Sequence, residues 1–211
     1  MMSFVLPGKE CRLCERLCAF RDENTVKFPK YYNGPVPSFG GIEAKVLVVG
    51  LAPGLHGANQ TGRPFTNDYA GDVLYPVLKK FGLARGEYKK VKDDGFELLE
   101  VRVSNAVRCV PPLNRPTTEE ENNCRVFLEK EIMAMENLKV ILSLGGISHK
   151  NVLKALGVKQ SLAKFAHGAV HELPNGIKLV DSYHTSRYNI NTGVLTEGMF
   201  EDVILKVKGL I

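Results

Sequence analysis

The chain has 211 residues, 44% of them hydrophobic and 24% charged, with a formal net charge of +5. That length fills one ample core, so a single domain over residues 1–211 is expected, and the composition is that of an ordinary globular protein. No apolar stretch approaches the ~20 residues that span a bilayer, which excludes a membrane-spanning role, and the basic balance suits a polyanionic partner without requiring one. Nothing ahead of the first cysteine reads as a secretory leader, so a cytoplasmic location and reduced thiols are expected.

In chain order, Leu17-Cys18-Ala19-Phe20 is a short apolar run that assigns Cys18 to the core. Residues 44–51 are a continuous run rich in Val and Leu that closes on a glycine, the pattern of a strand buried on both faces of a parallel sheet. A Gly- and Pro-rich loop follows to Gly71, and residues 72–81 carry helical spacing through Val73, Leu74, Val77, Leu78 and Phe81. Residues 89–95 (KKVKDDG) read as a solvated turn, and residues 97–107 as one strand, hairpinned through Asp94-Gly95. Thr117 with Glu120 forms a capping box that opens a helix through Phe127, Leu128 and Ile132. Residues 139–144 form a second buried strand, Gly145-Gly146 leads a helix to Leu156, Asn175-Gly176 turns a hairpin into a strand over 177–182, and a helix over 197–207 closes the chain. Strands alternating with helices predict an α/β fold, a three-layer α/β/α sandwich with a mostly parallel central sheet, and a site beyond the carboxyl ends of its strands.

Four cysteines carry inorganic chemistry on their face. Cys11 and Cys14 form a C-x2-C pair, and Cys109 and Cys124 bracket position 115. A C-x2-C pair lets two sulfurs reach one centre, and spacing alone leaves zinc and an iron–sulfur cluster open. Arg12, Arg16, Arg108, Arg115 and Arg125 lie near them in sequence, placed either to hold phosphate or to balance thiolate charge.

Two further blocks stand out. The apolar run 46–49 enters Gly50-Leu51-Ala52-Pro53-Gly54 and then residues 56–68, HGANQTGRPFTND; near the other end stands Ser182-Tyr183-His184-Thr185-Ser186-Arg187-Tyr188-Asn189. Both blocks follow strand ends. In this order, together with the cysteines, they resemble the uracil-DNA glycosylase superfamily, and within it the iron–sulfur family 5 (type B) enzymes, from Cys11 to Thr196. Leu51 stands where the related family 4 block, Gly-Glu-Ala-Pro-Gly, has its Glu, and Thr185 stands where the usual second block has Pro.

The resemblance implies hydrolysis of the N-glycosidic bond of uracil and other deaminated bases, such as hypoxanthine and xanthine, in DNA, the opening step of base excision repair. It implies a [4Fe-4S] cluster on Cys11, Cys14, Cys109 and Cys124, with a scaffolding task. It gives Asp68 the activation of water and His184 the stabilisation of the departing base, through a hydrogen bond to the uracil O2. Phe65 becomes the platform on which the flipped base stacks, and Asn105 the reader of its polar edge. Gly54, Ser186, Arg187 and Asn189 are read as further substrate contacts, and Arg187 and Tyr188 lie in the stretch that enters the duplex. The residues taken alone keep other roles open: Phe65 as an ordinary core residue, Asp68 as a helix cap, Asn105 as a strand terminator. Glycine-loop amides and the Ser143 hydroxyl are further candidates for phosphate contacts. DNA carrying deaminated bases is the implied partner, a sliding clamp a further one, and the protein is expected to act as a monomer. The competing readings are a non-catalytic iron–sulfur nucleic-acid-binding module of the same fold and a hydrolase of free nucleotides.

Overall fold

The computed structural model describes residues 6–211. Its centre is a five-stranded sheet built from β1 (Val46–Gly50), β4 (Val101–Asn105), β5 (Val140–Leu144), β6 (Val170–Glu172) and β7 (Lys178–Ser182), in the order β4-β1-β5-β7-β6. Strands β1, β4, β5 and β7 pair in parallel, and β6 joins the edge antiparallel. A separate two-stranded ribbon pairs β2 (Ala84–Arg85) with β3 (Glu97–Leu98).

The sheet is covered on both faces because its central strands carry apolar side chains toward both sides, successive residues pointing opposite ways. Val46, Val48, Val103, Leu142 and Val180 meet Leu74 and Leu78 of helix α3 (Tyr69–Lys80) and Phe200, Val203, Ile204 and Val207 of helix α7 (Glu197–Gly209). Leu47, Val49, Ile141 and Leu179 meet Leu128 and Ile132 of helix α4 (Thr118–Ala134) and Val152 and Leu153 of helix α5 (Gly146–Ala155). The three layers follow from that alternation. No helix among the described residues is long and apolar enough to cross a membrane.

Several local expectations hold as written. Thr117 accepts the Glu120 amide while the Glu120 carboxylate accepts the Thr117 amide, so the capping box is complete. Gly176 takes a left-handed φ of 80° in the turn between β6 and β7, a conformation natural to glycine.

Three expectations are corrected. Residues 97–107 are not one strand, because Glu100 at φ 59° breaks the run and hands β3 to the small ribbon and β4 to the central sheet. Helix α3 starts at Tyr69 rather than at residue 72. A helix that the sequence pattern does not predict, α1 (Glu15–Lys27), buries Leu17, Cys18, Arg21 and Asn24, so half of its inward face is polar and no hydrophobic stripe announces it. Arg21 donates to the Cys11 carbonyl at 3.0 Å, Arg16 grips Glu120 through Nε and Nη2 at 2.8 and 2.7 Å, and the Asn123 amide donates to the Leu13 carbonyl at 3.0 Å. The N-terminal segment is thereby tied to α4.

Strand order reverses around β1: the chain leaves it for β4 on one side and returns to β5 on the other. In doubly wound sheets that point, beyond the carboxyl ends of the strands, is where ligands bind. Gly50 and Asn105 end β1 and β4 in register there.

Candidate active site

A cavity of about 560 Å³ opens at this switch point, bounded by the loop after β1, the end of β4 and the loop after β7. Gly54, Phe65, Asp68, Asn105, His184, Ser186 and Arg187 all line it, although the first and last are 133 residues apart in sequence.

Glycines make the arrangement possible. A Cβ on Gly50 would come within 2.5 Å of both the Asn105 Oδ1 and the Phe65 ring, and a Cβ on Gly71 would lie 1.7 Å from the Phe65 carbonyl oxygen. Cβ atoms on Gly54 or Gly57 would press to 2.6 or 2.7 Å on the Asp68 carboxylate. Asp68 stands at the N-cap position of α3, yet its side chain makes no capping bond there; the carboxylate turns toward those two glycines instead. Burial pushes its carboxyl above the ordinary value, the Asp72 charge adds to that, and the Tyr69 amide and the Arg187 charge oppose it.

Phe65 adopts a left-handed φ of 55°, and its ring lies 6.3 Å from the His184 ring at 26° between planes. The neighbouring Arg63 holds this loop. It is buried, pairs bidentately with Asp94 at 2.8 Å on each arm, donates to Thr66 Oγ1 at 2.7 Å and packs on Phe39, Tyr75 and Tyr88. Burial works against the Asp94 charge, but Arg63 and the Lys89 and Phe96 amides outweigh it and hold the carboxyl at about 2. The turn at 89–95 therefore carries a buried anchor at Asp94 and is not wholly solvated.

Asn105 is 3% exposed, and among the described residues its amide has no hydrogen-bond partner. Nor does the His184 imidazole, which burial pushes down to about 4, leaving it neutral near pH 7. Buried polar groups are ordinarily paired, so two unpartnered ones facing one cavity mark a ligand site. The His184 loop is itself pinned: the Thr185 hydroxyl, fully buried, donates to the Ala70 carbonyl at 3.2 Å, and the Asn189 amide donates to the His184 carbonyl at 2.8 Å. Asn189 thus supports the loop from behind and does not line the cavity. Ser186 does, while its hydroxyl accepts the Asn189 amide to cap helix α6 (Arg187–Asn191). The Arg187 guanidinium lies 5.2 Å from the Tyr69 ring centroid. Ser143, read as a phosphate contact, is buried in β5 and donates to Asp181 at 2.6 Å, out of reach of any backbone phosphate.

The low value for His184 has a measurable consequence. An unfolded histidine takes its proton near pH ~6.5 and the folded one only near 4, so between these the unfolded state binds more protons and stability is lost as pH falls. The urea midpoint of the wild type is expected to drop more steeply from pH 7 to 4.5 than that of His184→Gln; equal slopes would mean that the imidazole is solvated.

The four cysteines gather at a second, small cavity on the other side of residues 107–109, with Leu17, Cys18, Val107 and Phe127 around them. All are free thiols. Burial and the facing cysteines push the Cys14 thiol to about 11 and Cys109 to about 12, and burial raises Cys124 too, although the Arg108 amide donates to its sulfur at 3.3 Å. Of the arginines placed near them in sequence, Arg12 pairs with Asp22, Arg16 with Glu120, Arg108 with the buried Glu131, and Arg125 bonds Asn122. These four serve internal contacts, and Arg115 stands exposed.

Compared with known proteins, residues 37–208 match the family model described as the uracil DNA glycosylase superfamily. The chain belongs to that superfamily. Its relatives place it in the type-5 branch: it is 42% identical over 213 residues to a type-5 uracil-DNA glycosylase of Thermus thermophilus, covering 99% of this chain and 97% of that one. A type-5 enzyme of Mycobacterium leprae is 38% identical over 95% of this chain and 91% of its own, and one of Pyrobaculum aerophilum 40% over 92% and 86%. Leu51, which separates the family 5 reading from family 4 in the sequence, lines this cavity beside Gly54.

Proposed function

We propose that this protein removes uracil from DNA by hydrolysing its N-glycosidic bond, with the chemistry carried out in the 560 Å³ cavity. The observation that carries the reading is the pair of unpartnered polar groups, Asn105 and His184, lining one cavity with the half-buried Asp68 carboxylate. A base must leave the stack to be cut, its polar edge must be read, and the bond breaks through an oxocarbenium-like state. Phe65 offers the flipped base a face. The Asn105 amide supplies both a donor and an acceptor for its edge. Neutral His184 donates a hydrogen bond where charge grows on the departing base, which needs no protonated imidazole. Asp68, held between Gly54 and Gly57, orients water toward the sugar and takes its proton. Leu113, 90% exposed at φ 55° beside the cavity-lining Asn114, and Tyr188, 73% exposed on α6, are the side chains suited to fill the space the base vacates.

The basic balance and the wide cavity favour DNA over free nucleotides as substrate. Duplex oligonucleotides carrying a single uracil, incubated with the protein and then cleaved by alkali, test this; an intact strand would leave the non-catalytic module as the better reading.

The same cavity suits purines. Gly54, Gly57 and Ala58 line the first loop with small residues, and Asn105 matches the lactam edge that uracil, hypoxanthine and xanthine share. Asn105→Ala is expected to slow removal of all three by the worth of one bidentate contact, roughly 1–3 kcal/mol. A protein that releases uracil but neither purine, or a variant impaired on uracil alone, would refute the broad pocket.

For the cysteines the donor set fits a [4Fe-4S] cluster. Four thiols, a C-x2-C pair with two further cysteines, line one small cavity, the donor set that four-thiolate clusters use. When bound, such a cluster would bridge the four thiolates and fasten α1, the segment after β4 and α4 together.

A further inference from the structure

Under the antiparallel edge of the sheet, away from both sites, three side chains converge on one carboxylate. Asp181 of β7 is fully buried. The Ser143 hydroxyl donates to its Oδ1 at 2.6 Å, His149 Nδ1 of α5 lies 2.8 Å from that same oxygen, and His171 Nε2 of β6 lies 3.1 Å from Oδ2. The other nitrogen of His149, Nε2, is 2.9 Å from the Ala163 carbonyl, and the Phe165 ring meets the imidazole edge-on at 5.6 Å.

A carbonyl oxygen only accepts, so His149 Nε2 carries a hydrogen. In a neutral ring Nδ1 is then a bare lone pair aimed at a carboxylate oxygen, two acceptors face to face inside the protein. A positive species must stand between them: a second proton or a metal cation.

The surroundings favour a cation. One nitrogen from each histidine and a carboxylate oxygen of Asp181 all lie within 4.8 Å of one another. Two imidazoles and one carboxylate are a donor set for zinc and similar divalent ions. Metal-bound histidines typically donate their second N–H to a carbonyl or carboxylate, and metal-bound carboxylates accept further hydrogen bonds; Ala163 and Ser143 supply those outer contacts. The His171 side chain is 17% exposed on the edge strand, which offers an entry path and room for a water ligand.

We propose that His149, His171 and Asp181 form a divalent-cation site, taking zinc or an ion of like chemistry, independent of the four cysteines. The ion joins α5, β6 and β7, and Asp181 stands three residues ahead of His184, so it stiffens the strand that presents the unpartnered imidazole.

The test uses the whole protein, its cysteine-bound metal first quantified, dialysed against EDTA and titrated with zinc against a chromophoric chelator. One further equivalent of zinc is expected to bind and to raise the melting temperature. His171→Ala, at the solvent edge of the cluster, should lose that equivalent, with affinity falling by more than the roughly 10–100-fold typical of an outer-shell partner. His149→Gln should do the same if the first variant folds poorly. Cobalt in place of zinc should give weak visible bands without thiolate charge transfer. Failure of the wild type to take up zinc beyond its cysteine-bound metal, or unchanged zinc binding in both variants, overturns the proposal and leaves a buried imidazolium–carboxylate pair.

Discussion

Asp68→Asn is expected to keep the fold and the affinity for uracil-containing DNA while losing most turnover, by about 10²–10⁴-fold for a group that orients and deprotonates water. The substitution is nearly isosteric, and the side chain makes no capping bond to α3, so helix stability has little to lose. The amide fits between Gly54 and Gly57 as the carboxylate does, but it cannot accept a proton. Single-turnover cleavage and DNA binding measured on the same preparation separate the two effects. A variant that cuts at the parent rate would return Asp68 to a structural role and leave bond breaking to His184 alone. The raised carboxyl of Asp68 also sets a direction with pH: the wild-type rate should fall on acidification through a pKa above the ordinary carboxylate value, and that limb should be missing in Asp68→Asn.

Cys124→Ala is expected to produce poorly soluble protein that lacks iron and visible absorption, and Cys109→Ala the same. Metal binding of this kind is folding free energy, on the order of 10 kcal/mol for structural sites, against a total domain stability of about 5–15 kcal/mol. The geometry makes the loss general. Cys124 is buried on α4, Cys109 follows β4, and Cys11 and Cys14 precede α1, so one missing ligand loosens three segments at once. The Arg16–Glu120 and Asn123–Leu13 contacts remain, but the arginine is largely exposed, and bonds of that kind contribute about 1 kcal/mol each. Metal analysis of the wild type decides the chemistry: iron and sulfide together support the cluster, and zinc with no iron would reassign the site while leaving the fold intact.

Much of this protein was legible because its signals are local. Largely apolar runs wrote β1 and β5, Thr117 with Glu120 wrote the start of α4, Asn175-Gly176 wrote a turn, and the two motif blocks named most of the cavity. Each depends on neighbours within a few positions, and backbone propensity and patterning act at that range. What stayed hidden depends on partners distant in sequence. Helix α1 has no apolar stripe because it buries Arg21 and Asn24, whose contacts form only once the Cys11 segment folds over it. Asp94 looks like one more charge in a solvated turn until Arg63, 31 residues earlier, closes on it. Asp68 was balanced between helix cap and catalytic carboxylate, and only the two glycines facing it turned the side chain into the cavity. Ser143, His149, His171 and Asp181 are unremarkable in sequence, and it is the parallel pairing of β5 with β7 and the antiparallel return of β6 that bring them together. Burial of a polar group is settled by which element packs over it, so the sequence alone determined the layers and the motif loops, and the tertiary structure decided which polar side chains serve the core and which face the cavity.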